Sequence, residues 1–307
     1  MKKYKEVILE LSKNCNLNCI MCGYGARFNK PDKYMDYSLF DYILGQLNGD
    51  FNVIRLNGRG ESTIHPHFVK FLSRARKVYP EARLRLFTNM NYNDMDITRV
   101  LWESRCETMM SLDSLRKDKL EYIRAGTNFE RMIRNIEELC ARANTTAIVF
   151  TLQPDNFFEI EELARFAIEH NCHFFCNAVR NEWMEQDFYK LVTANVDYLR
   201  DAYARVNELY DGSELTMHLP DQLGGVKLVG TVAQATCSDM PCCPNVGKDF
   251  CIYYDGTVTP CGMFNPYDLG NIRDHTLDEI MSGSKFAEFA KNQTTDPYCR
   301  NCQYICG

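Results

Sequence analysis

The chain has 307 residues, a net charge of −6 and fifteen cysteines. The negative charge argues against nucleic acid as a partner, because phosphate binding requires a basic face. A negatively charged protein is compatible with a cationic substrate. No apolar stretch approaches the ~20 residues that span a bilayer, and Met1–Glu6 lacks the apolar region of a signal peptide. We therefore expect a cytoplasmic protein with no membrane partner, whose reduced cysteines serve as metal ligands or catalytic groups.

Short apolar runs alternate with longer amphipathic segments from residue 6 to about residue 180. The runs predicted as strands are Val7–Leu11, Val53–Leu56, Leu84–Phe87, Thr108–Leu112, Ala147–Leu152 and His173–Ala178. Apolar residues at spacings of three and four predict helices at Ser38–Leu47, His67–Val78, Phe129–Arg142 and Phe158–His170. Six β-then-α units predict an α/β fold with a parallel sheet and right-handed crossovers. They are too few for an eight-stranded barrel, and the pattern alone allows a partial (β/α)6 barrel or an open doubly wound sheet.

The character of the chain changes after this region. Trp183–Tyr210 predicts a long helix or a pair of helices. Farther on, two β-rich runs joined by Asp255–Gly256 predict a hairpin, and Thr276–Ala290 predicts another helix. Eight of the fifteen cysteines lie in residues 236–307. We therefore expect two domains, residues 1–215 and a small cysteine-rich domain at residues 236–307.

Three cysteines follow the first predicted strand: Cys15, Cys19 and Cys22, separated by three and then two residues. A loop with this spacing can supply three thiolates to one cubane iron–sulfur cluster, whereas a fully protected cluster takes four. The remaining iron is then open to another ligand, which suits an enzyme that docks a substrate on its cluster. The alternatives are a zinc knuckle, for which a fourth ligand nearby is missing, and core cysteines whose spacing is coincidental.

The CxxxCxxC run after a first strand resembles the signature of the radical S-adenosylmethionine (radical SAM) superfamily. The resemblance implies a partial (β/α)6 barrel, and so decides between the two sheet alternatives. It also implies that the open iron binds the amino and carboxylate groups of SAM. Reduction of the cluster then cleaves SAM to a 5′-deoxyadenosyl radical that abstracts a hydrogen atom. A one-electron reductant such as flavodoxin or ferredoxin is the implied protein partner.

A second motif follows the second predicted strand. The run Leu56–Ser62 occupies the place of the superfamily's GGEP motif, whose backbone and Glu contact the amino group of SAM. Gly60 and Glu61 match this motif, while Arg59 and Ser62 replace a glycine and the proline. A glycine at a strand end lets the backbone approach a ligand closely, and an anionic Glu suits an ammonium group. The alternative is an ordinary glycine turn with a solvated Glu.

Three further residues complete the SAM site that the resemblance implies. Ser111 ends the fourth strand, where the superfamily contacts the SAM carboxylate or ribose. Arg124 resembles the arginine that meets the SAM carboxylate, and the alternative is a helix charge on the surface. Met21 stands where the superfamily places an adenine-contacting residue, a role that a polarizable thioether can fill.

The C-terminal cysteines follow a recognisable order: one cysteine, a hairpin, a second cysteine, a helix and then CxxC. This order resembles the Twitch domain, a shortened relative of SPASM domains that binds one auxiliary four-iron cluster. The ligands that the resemblance implies are Cys243, Cys261, Cys299 and Cys302. Cys242 and Cys237 compete with Cys243 for the first position, and zinc at the same cysteines remains an alternative because spacing does not separate zinc from iron. The expected cofactors are therefore two [4Fe–4S] clusters and SAM.

The substrate class is predicted from the size and layout of the chain. It begins within six residues of the first strand, which leaves no room for the N-terminal peptide-recognition domain of many peptide-modifying relatives. The Twitch form resembles superfamily enzymes that dehydrogenate aminocyclitols or epimerise aminoglycosides. We therefore expect a small, polar, aminoglycoside- or sugar-like substrate. The alternatives are a SPASM-type peptide maturase and an electron-transfer protein with no substrate of its own.

The predicted catalytic residue is Cys251, on the hairpin strand that leads to the auxiliary cluster. In an epimerase, a cysteine thiol gives a hydrogen atom to the face opposite the one from which hydrogen was removed. A dehydrogenase would instead oxidise a secondary alcohol through the auxiliary cluster, and Cys251 would then be a buried strand cysteine. Cys176 is a second candidate donor at the end of the sixth strand. The cysteines Cys106, Cys140 and Cys172 are predicted to be structural.

Overall fold

The computed structural model describes residues 3–24, 33–143, 145–180, 187–229, 243, 245–262, 267–293, 295–296 and 299. Its strands are β1 (Tyr4–Leu9), β2 (Phe51–Arg55), β3 (Arg83–Thr88), β4 (Glu107–Ser111), β5 (Thr146–Leu152), β6 (His173–Ala178), β7 (Met217–His218), β8 (Gln222–Leu223), β9 (Val226–Lys227), β10 (Asp249–Ile252), β11 (Thr257–Thr259) and β12 (Gly270–Asn271).

The helices alternate with the strands of the N-terminal two thirds of the chain. They are α1 (Tyr37–Leu47), α2 (Phe68–Val78), α3 (Met95–Glu103), α4 (Lys117–Ile123), α5 (Phe129–Cys140), α6 (Ile160–Glu169), α7 (Phe188–Ala194), α8 (Val196–Tyr210), α9 (Leu277–Ser282) and α10 (Ser284–Asn292). Two short 3₁₀ turns are Ser62–Ile64 and Pro154–Asn156. No helix within the described residues is long and apolar enough to cross a membrane.

The described residues fall into two compact units. The first unit draws on Met1–Asn14, Lys30–Arg85 and Ala233–Gly307, and the second on Cys15–Asn29 and Leu86–Val232. Each unit carries its own run of hydrogen-bonded strands, and the boundary falls within β3. The predicted domains at residues 1–215 and 236–307 stay a prediction.

The first unit is built around parallel strands. Its strand order is β12-β11-β10-β1-β2-β3, with β10, β1, β2 and β3 parallel to their neighbours in this order. Val7, Ile8 and Leu9 of β1 are all fully buried, as expected for a strand covered on both faces. The C-terminal hairpin is confirmed, because β10 and β11 pair antiparallel and place Cys251 opposite Thr259.

The second unit continues the parallel pattern with the order β4-β5-β6-β7. Its strands bury a common apolar cluster that includes Met109, Ala147 and Val149. Helix α5 shows why the amphipathic spacing forms a helix here. Asn128 caps its first turn by accepting from Arg131 N at 2.8 Å, and its apolar residues at three and four spacing are buried.

Several predicted boundaries differ from the structure. The first strand was predicted at Val7–Leu11 and runs from Tyr4 to Leu9. The single helix predicted at Thr276–Ala290 is the pair α9 and α10, because Gly283 at the junction has an extended backbone conformation that interrupts the helix. Thr276 does begin the pair, as a capping box with Glu279.

Candidate active site

The loop of Cys15, Cys19 and Cys22 is held by its own backbone in the second unit. Asn18 N donates to Ala125 O at 2.8 Å, and Ile20 N donates to Ile123 O at 3.0 Å. These two bonds tie the loop to the segment that follows α4 and contains Arg124. Backbone hydrogen bonds therefore position the loop, and the three thiols are not needed to hold it in place.

The sulfur atoms of the loop accept hydrogen bonds from N–H groups. Leu17 N donates to Cys15 Sγ and Tyr24 N donates to Cys22 Sγ, each at 3.4 Å. The amide of Asn89 also reaches Cys15 Sγ, at 4.0 Å. Hydrogen bonds to cysteine sulfur stabilise thiolates and help to set the potential of an iron–sulfur cluster. These donors fit Cys15 and Cys22 as ligands of a cluster.

A buried ion pair lies next to Cys19. Arg124 Nε is 2.7 Å from Asp113 Oδ2, and Asp113 Oδ1 accepts from Thr151 N at 2.7 Å. Burial raises the pKa of Cys19 to about 11, while the positive charge of Arg124 opposes this rise. Burial alone would lower the pKa of the Arg124 guanidinium group, but Asp113 together with Cys19 and Cys22 raises this pKa above its ordinary value. Arg124 is therefore a charged group close to the thiols of the loop.

The structure brings three of the predicted SAM-site residues into the second unit. Met21 lies in the cysteine loop and is buried, Ser111 ends β4 and is half-buried, and Arg124 is buried in its ion pair. The alternative that Arg124 is a surface charge is wrong, because its side chain is 9% exposed. Asp113, two residues after Ser111, is the residue that pairs with Arg124. Contacts of these residues with SAM stay predictions.

The motif of Gly60 and Glu61 lies in the first unit. A Cβ atom on Gly60 would stand 2.3 Å from Asn14 O, so this position requires glycine. The next residue, Glu61, donates its N–H to the same oxygen at 2.8 Å. Its Oε1 accepts from Thr63 N at 3.1 Å and from Thr63 Oγ1 at 2.8 Å. Glu61 is buried and caps a 3₁₀ turn, so it is not a solvated residue; its contact with SAM stays a prediction.

Sequence reasoning missed a second buried ion pair, Glu10 with Arg59. Glu10 Oε2 accepts from Arg59 N at 2.9 Å and from Nε at 2.8 Å, and Oε1 accepts from Nη2 at 2.7 Å. A Cβ atom on Gly58 would lie 2.4 Å from Glu10 Cγ, so the glycine makes room for the carboxylate. The Arg59 guanidinium also covers the ring of Tyr253 at 3.7 Å. The sequence could have indicated this pair, because Glu10 is a charged residue directly after the apolar strand β1.

Cys251 is fully buried in β10, where it contacts Ile8 and Tyr253. Burial raises the pKa of its thiol well above the ordinary value, and the nearby carboxylate of Glu10 raises it further. The positive charges of Arg55 and Arg59 oppose this rise and do not overcome it. Cys251 therefore keeps its S–H hydrogen at neutral pH.

Three of the predicted auxiliary ligands lie in the first unit. Cys243 N donates to Gln293 Oε1 at 3.0 Å, which ties this cysteine to the end of α10. Cys299 N donates to Asp296 Oδ1 at 3.1 Å, and its side chain is buried. Cys261 follows β11 and is half-buried. The bond from Cys243 to Gln293 thus joins the first cysteine to the segment that leads to Cys299.

The rest of the predicted ligand set, namely Cys302 and the two rivals of Cys243, Cys237 and Cys242, lies outside the described residues. Among the residues that are described, no three His, Cys, Asp or Glu side chains are close enough to hold a metal ion. In a cubane cluster each cysteine binds a different iron atom. The assignment of the auxiliary ligands stays a prediction.

Two family models match the chain. The radical SAM superfamily matches residues 9–167, which is more than half of the chain, and SPASM, an iron–sulfur cluster-binding domain, matches residues 242–303. A curated relative is the tungsten-containing aldehyde ferredoxin oxidoreductase cofactor-modifying protein of Pyrococcus furiosus. It is 23% identical over 330 residues, which covers 97% of this chain and 87% of the relative.

Solved structures share the fold. SuiB of Streptococcus suis, bound to S-adenosylmethionine, aligns with a TM-score of 0.72 and 16% identity over 98% of this chain and 71% of SuiB. The enzyme anSMEcpe, with bound AdoMet, aligns with a TM-score of 0.71 and 18% identity over 98% of this chain and 84% of that protein. The predicted α/β class and partial-barrel fold are confirmed by these likenesses. The chain belongs to the radical SAM superfamily, as an enzyme that carries a SPASM-type C-terminal domain and uses SAM and [4Fe–4S] clusters.

Proposed function

We propose that the protein is a radical SAM epimerase that inverts one carbon centre of a small, polar, aminoglycoside- or sugar-like substrate. Cys251 is the hydrogen-atom donor in this proposal. The observation that carries it is the state of the Cys251 thiol, which is fully buried and whose pKa burial raises well above the ordinary value. A hydrogen-atom donor must hold its hydrogen until the substrate radical forms, and a buried, protonated thiol does so.

The chemistry divides between the two cysteine regions. Cys15, Cys19 and Cys22 would hold the cluster that, when bound and reduced, would supply the electron for cleavage of SAM to the 5′-deoxyadenosyl radical. Abstraction of a substrate hydrogen then gives 5′-deoxyadenosine and a carbon radical. The S–H bond of Cys251 breaks as a C–H bond forms on the opposite face, which leaves a sulfur radical. One electron and one proton restore the thiol, the electron coming from a one-electron reductant such as flavodoxin or ferredoxin.

The surroundings of Cys251 support a donor role in two ways. Ile8 and Tyr253 pack against Cys251, which limits the access of small oxidants to a sulfur radical. Cys261, one of the predicted auxiliary ligands, is close enough to act on the pKa of Cys251. The donor and an expected redox centre are therefore neighbours within the first unit.

The test is turnover of candidate aminoglycosides in deuterated water with the wild type and with Cys251→Ala. Thiol hydrogens exchange with water, so the wild type should place one deuterium at the inverted carbon. Cys251→Ala should still cleave SAM and should lose the inverted product. Cys106→Ala, a change at another buried cysteine, is the matched control and should behave as the wild type. Normal inversion by Cys251→Ala would overturn the proposal for this thiol, and Cys176→Ala would then test the second candidate donor.

The same experiment separates the dehydrogenase alternative. Oxidation of a secondary alcohol removes two mass units from the product and places no solvent deuterium at carbon. In that reaction Cys251→Ala would be nearly silent, whereas Cys261→Ala or Cys299→Ala would stop oxidation. Such results would identify the protein as a radical SAM dehydrogenase instead of an epimerase.

A peptide substrate is the second candidate, because two structures of similar fold hold peptides. SuiB is also known bound to its precursor peptide SuiA, and anSMEcpe is known with the Kp18Cys peptide. An epimerase of peptides would use the Cys251 thiol in the same way, at an α-carbon. Substrate-dependent formation of 5′-deoxyadenosine, measured with aminoglycosides and with peptides side by side, distinguishes the two classes.

A further inference from the structure

Two cysteines far apart in sequence meet in the second unit. Cys140, the last residue of α5, and Cys172, directly before β6, have their sulfur atoms 3.1 Å apart. A disulfide bond is about 2.05 Å long, so bond formation requires the sulfurs to approach by only about 1 Å. The pairing is not visible in the sequence, because 32 positions separate the two residues.

Both cysteines are fixed where they stand. Cys172 N donates to Ala167 O at 2.8 Å, and Cys172 Sγ is 3.2 Å from Thr146 Oγ1 at the start of β5. The Cys172 side chain is fully buried, whereas Cys140 is half-buried. One sulfur of the pair can therefore meet a small molecule from solvent, and the other is held against it from inside.

We propose that Cys140 and Cys172 are a redox modification site, which forms a reversible intramolecular disulfide by exchange with a low-molecular-weight disulfide such as glutathione disulfide. The site uses neither the cysteines of the cluster loop nor Cys251. It does not depend on the proposed epimerase activity.

The exchange has two steps that balance. The thiolate of the half-buried Cys140 attacks one sulfur of glutathione disulfide, which forms a mixed disulfide and releases one glutathione. The Cys172 thiolate then attacks the Cys140 sulfur and releases the second glutathione. The protein dithiol is oxidised to a disulfide, one glutathione disulfide is reduced to two glutathiones, and both thiol protons pass to the products. The hydrogen bond between the two thiols lowers the pKa of Cys172 and raises the pKa of Cys140, so it favours the attack by Cys172 in the second step and slows the attack by Cys140 in the first.

The position in the fold predicts the consequence. Thr146 and Cys172 lie at the amino ends of β5 and β6, whereas Ser111 and Asp113 lie at the carboxyl end of β4. Catalytic residues of parallel β/α proteins gather at the carboxyl ends of the strands, and the opposite end serves stability. The disulfide should therefore stabilise the unit, because it constrains the unfolded chain, and it should leave SAM cleavage unchanged.

The test uses the anaerobically reconstituted holoenzyme, incubated with glutathione disulfide and then blocked with N-ethylmaleimide under denaturing conditions. Trypsin places Cys140 in the peptide Asn135–Arg142 and Cys172 in the peptide Phe166–Arg180. We expect one linked pair of these peptides per chain, which dithiothreitol separates. With one N-ethylmaleimide on Cys176, its mass should be two hydrogens below the sum of the two peptides and the label. The thermal midpoint of the oxidised protein should rise by about 5 °C.

Three variants make the result decisive. Cys176→Ser is the matched control, because Cys176 is buried and shares the tryptic peptide of Cys172; this variant should form the link as the wild type does. Cys140→Ser should form no link, and Cys172→Ser should instead retain glutathione on Cys140. The proposal is wrong if wild-type Cys140 accumulates glutathione without forming the link, if the link forms through Cys176, or if neither cysteine reacts.

Discussion

The cysteine loop of the second unit and the β10 strand of the first unit give their cysteines different surroundings. In the loop, the sulfurs of Cys15 and Cys22 accept backbone N–H bonds at 3.4 Å, as cluster-ligating sulfurs do. In β10, Cys251 is fully buried against Ile8 and Tyr253, which favours the protonated thiol. Hydrogen-bond donors therefore distinguish Cys15 and Cys22 from Cys251, whereas burial raises the pKa of both Cys19 and Cys251.

Each region also contains a buried arginine–carboxylate pair, and the two pairs differ in construction. Arg124 meets Asp113 through Nε, and Asp113 is also held by the backbone of Thr151. Arg59 makes three hydrogen bonds to Glu10, one of them from its backbone. Breaking a buried pair leaves an uncompensated charge, so loss of either arginine should destabilise the fold around it.

The largest expected effect is at the cysteine loop. Replacement of Cys15, Cys19 and Cys22 by Ala should remove one cluster, about four irons per chain, and abolish SAM cleavage. Iron and sulfide analysis of the reconstituted protein, with 5′-deoxyadenosine formation, measures both. Cys106→Ala should retain its iron. An unchanged iron content in the triple variant would contradict the ligand assignment.

The next effect concerns the ion pair beside Cys251. Arg59→Ala leaves the fully buried Glu10 carboxylate without its main partner, and we expect a loss of about 3–5 kcal/mol in the free energy of unfolding. Adding Glu10→Gln should recover part of this loss, because it removes the uncompensated charge. Urea unfolding measures both variants.

The control for Arg59 is Arg165→Ala, which breaks a more exposed pair with Glu161. Exposed pairs contribute little, so this change should cost less than about 1 kcal/mol. Equal losses at Arg59 and Arg165 would show that burial of Glu10 does not set the strength of its pair.

A smaller effect is expected at Glu61, where structure and ligand binding can be separated. Glu61→Gln keeps an oxygen that accepts from Thr63, so the stability of the first unit should change little. It removes the charge predicted to face the SAM amino group, and charge-assisted bonds contribute about 1.5–3 kcal/mol. SAM affinity should then fall roughly ten- to hundredfold, as measured by equilibrium binding to the reconstituted enzyme. An unchanged dissociation constant would limit Glu61 to its capping role.

The predictable part of the molecule is the part that local pattern determines. The apolar runs located all six strands of the barrel, and Asp255–Gly256 located the hairpin, because period and turn chemistry are properties of neighbouring residues. The end of β1 was wrongly predicted at Leu11, whereas the strand ends at Leu9. Glu10, directly after the strand, is buried because it pairs with Arg59, a residue distant in sequence. Gly283 divides the last predicted helix into α9 and α10. The glycine was visible in the sequence, but the apolar spacing on both sides of it predicted one continuous helix.

The site was predicted less completely, because its geometry depends on residues distant in sequence. Motif spacing identified Cys15, Cys19 and Cys22, but the pairing of Asp113 with Arg124 required the fold. The contact of Cys140 with Cys172 depends on where α5 ends relative to β6. Burial of Cys251 was weighed in advance only as the alternative to a donor role, whereas the structure shows that burial and a retained S–H hydrogen go together.

The smallest expected effect concerns Asp249, a partly buried carboxyl group in the same strand as Cys251. Asp249 begins the strand of Cys251 and pairs in register with Glu6 of β1. Burial raises the pKa of Asp249 above its ordinary value; Lys5 opposes this rise, while the charge of Glu6 adds to it. The folded protein thus holds this proton more tightly than the unfolded chain. Stability contributed by Asp249 is present below the unfolded pKa and is lost as the pH rises through the folded pKa.

Asp249→Asn removes this pH-dependent loss without changing the size of the side chain. The variant should be more stable than the wild type at neutral pH, by about 1 kcal/mol or less, and the difference should shrink to zero as the pH falls below the unfolded pKa of 3.8. Urea unfolding of both proteins across this range measures the difference. A variant that is less stable at neutral pH would mean that the Asp249 carboxylate is stabilised by Lys5 and Arg55 more than burial disfavours it. In that event the charged surroundings of β10 would resemble those of the Asp113 pair, where a buried carboxylate is held by its arginine.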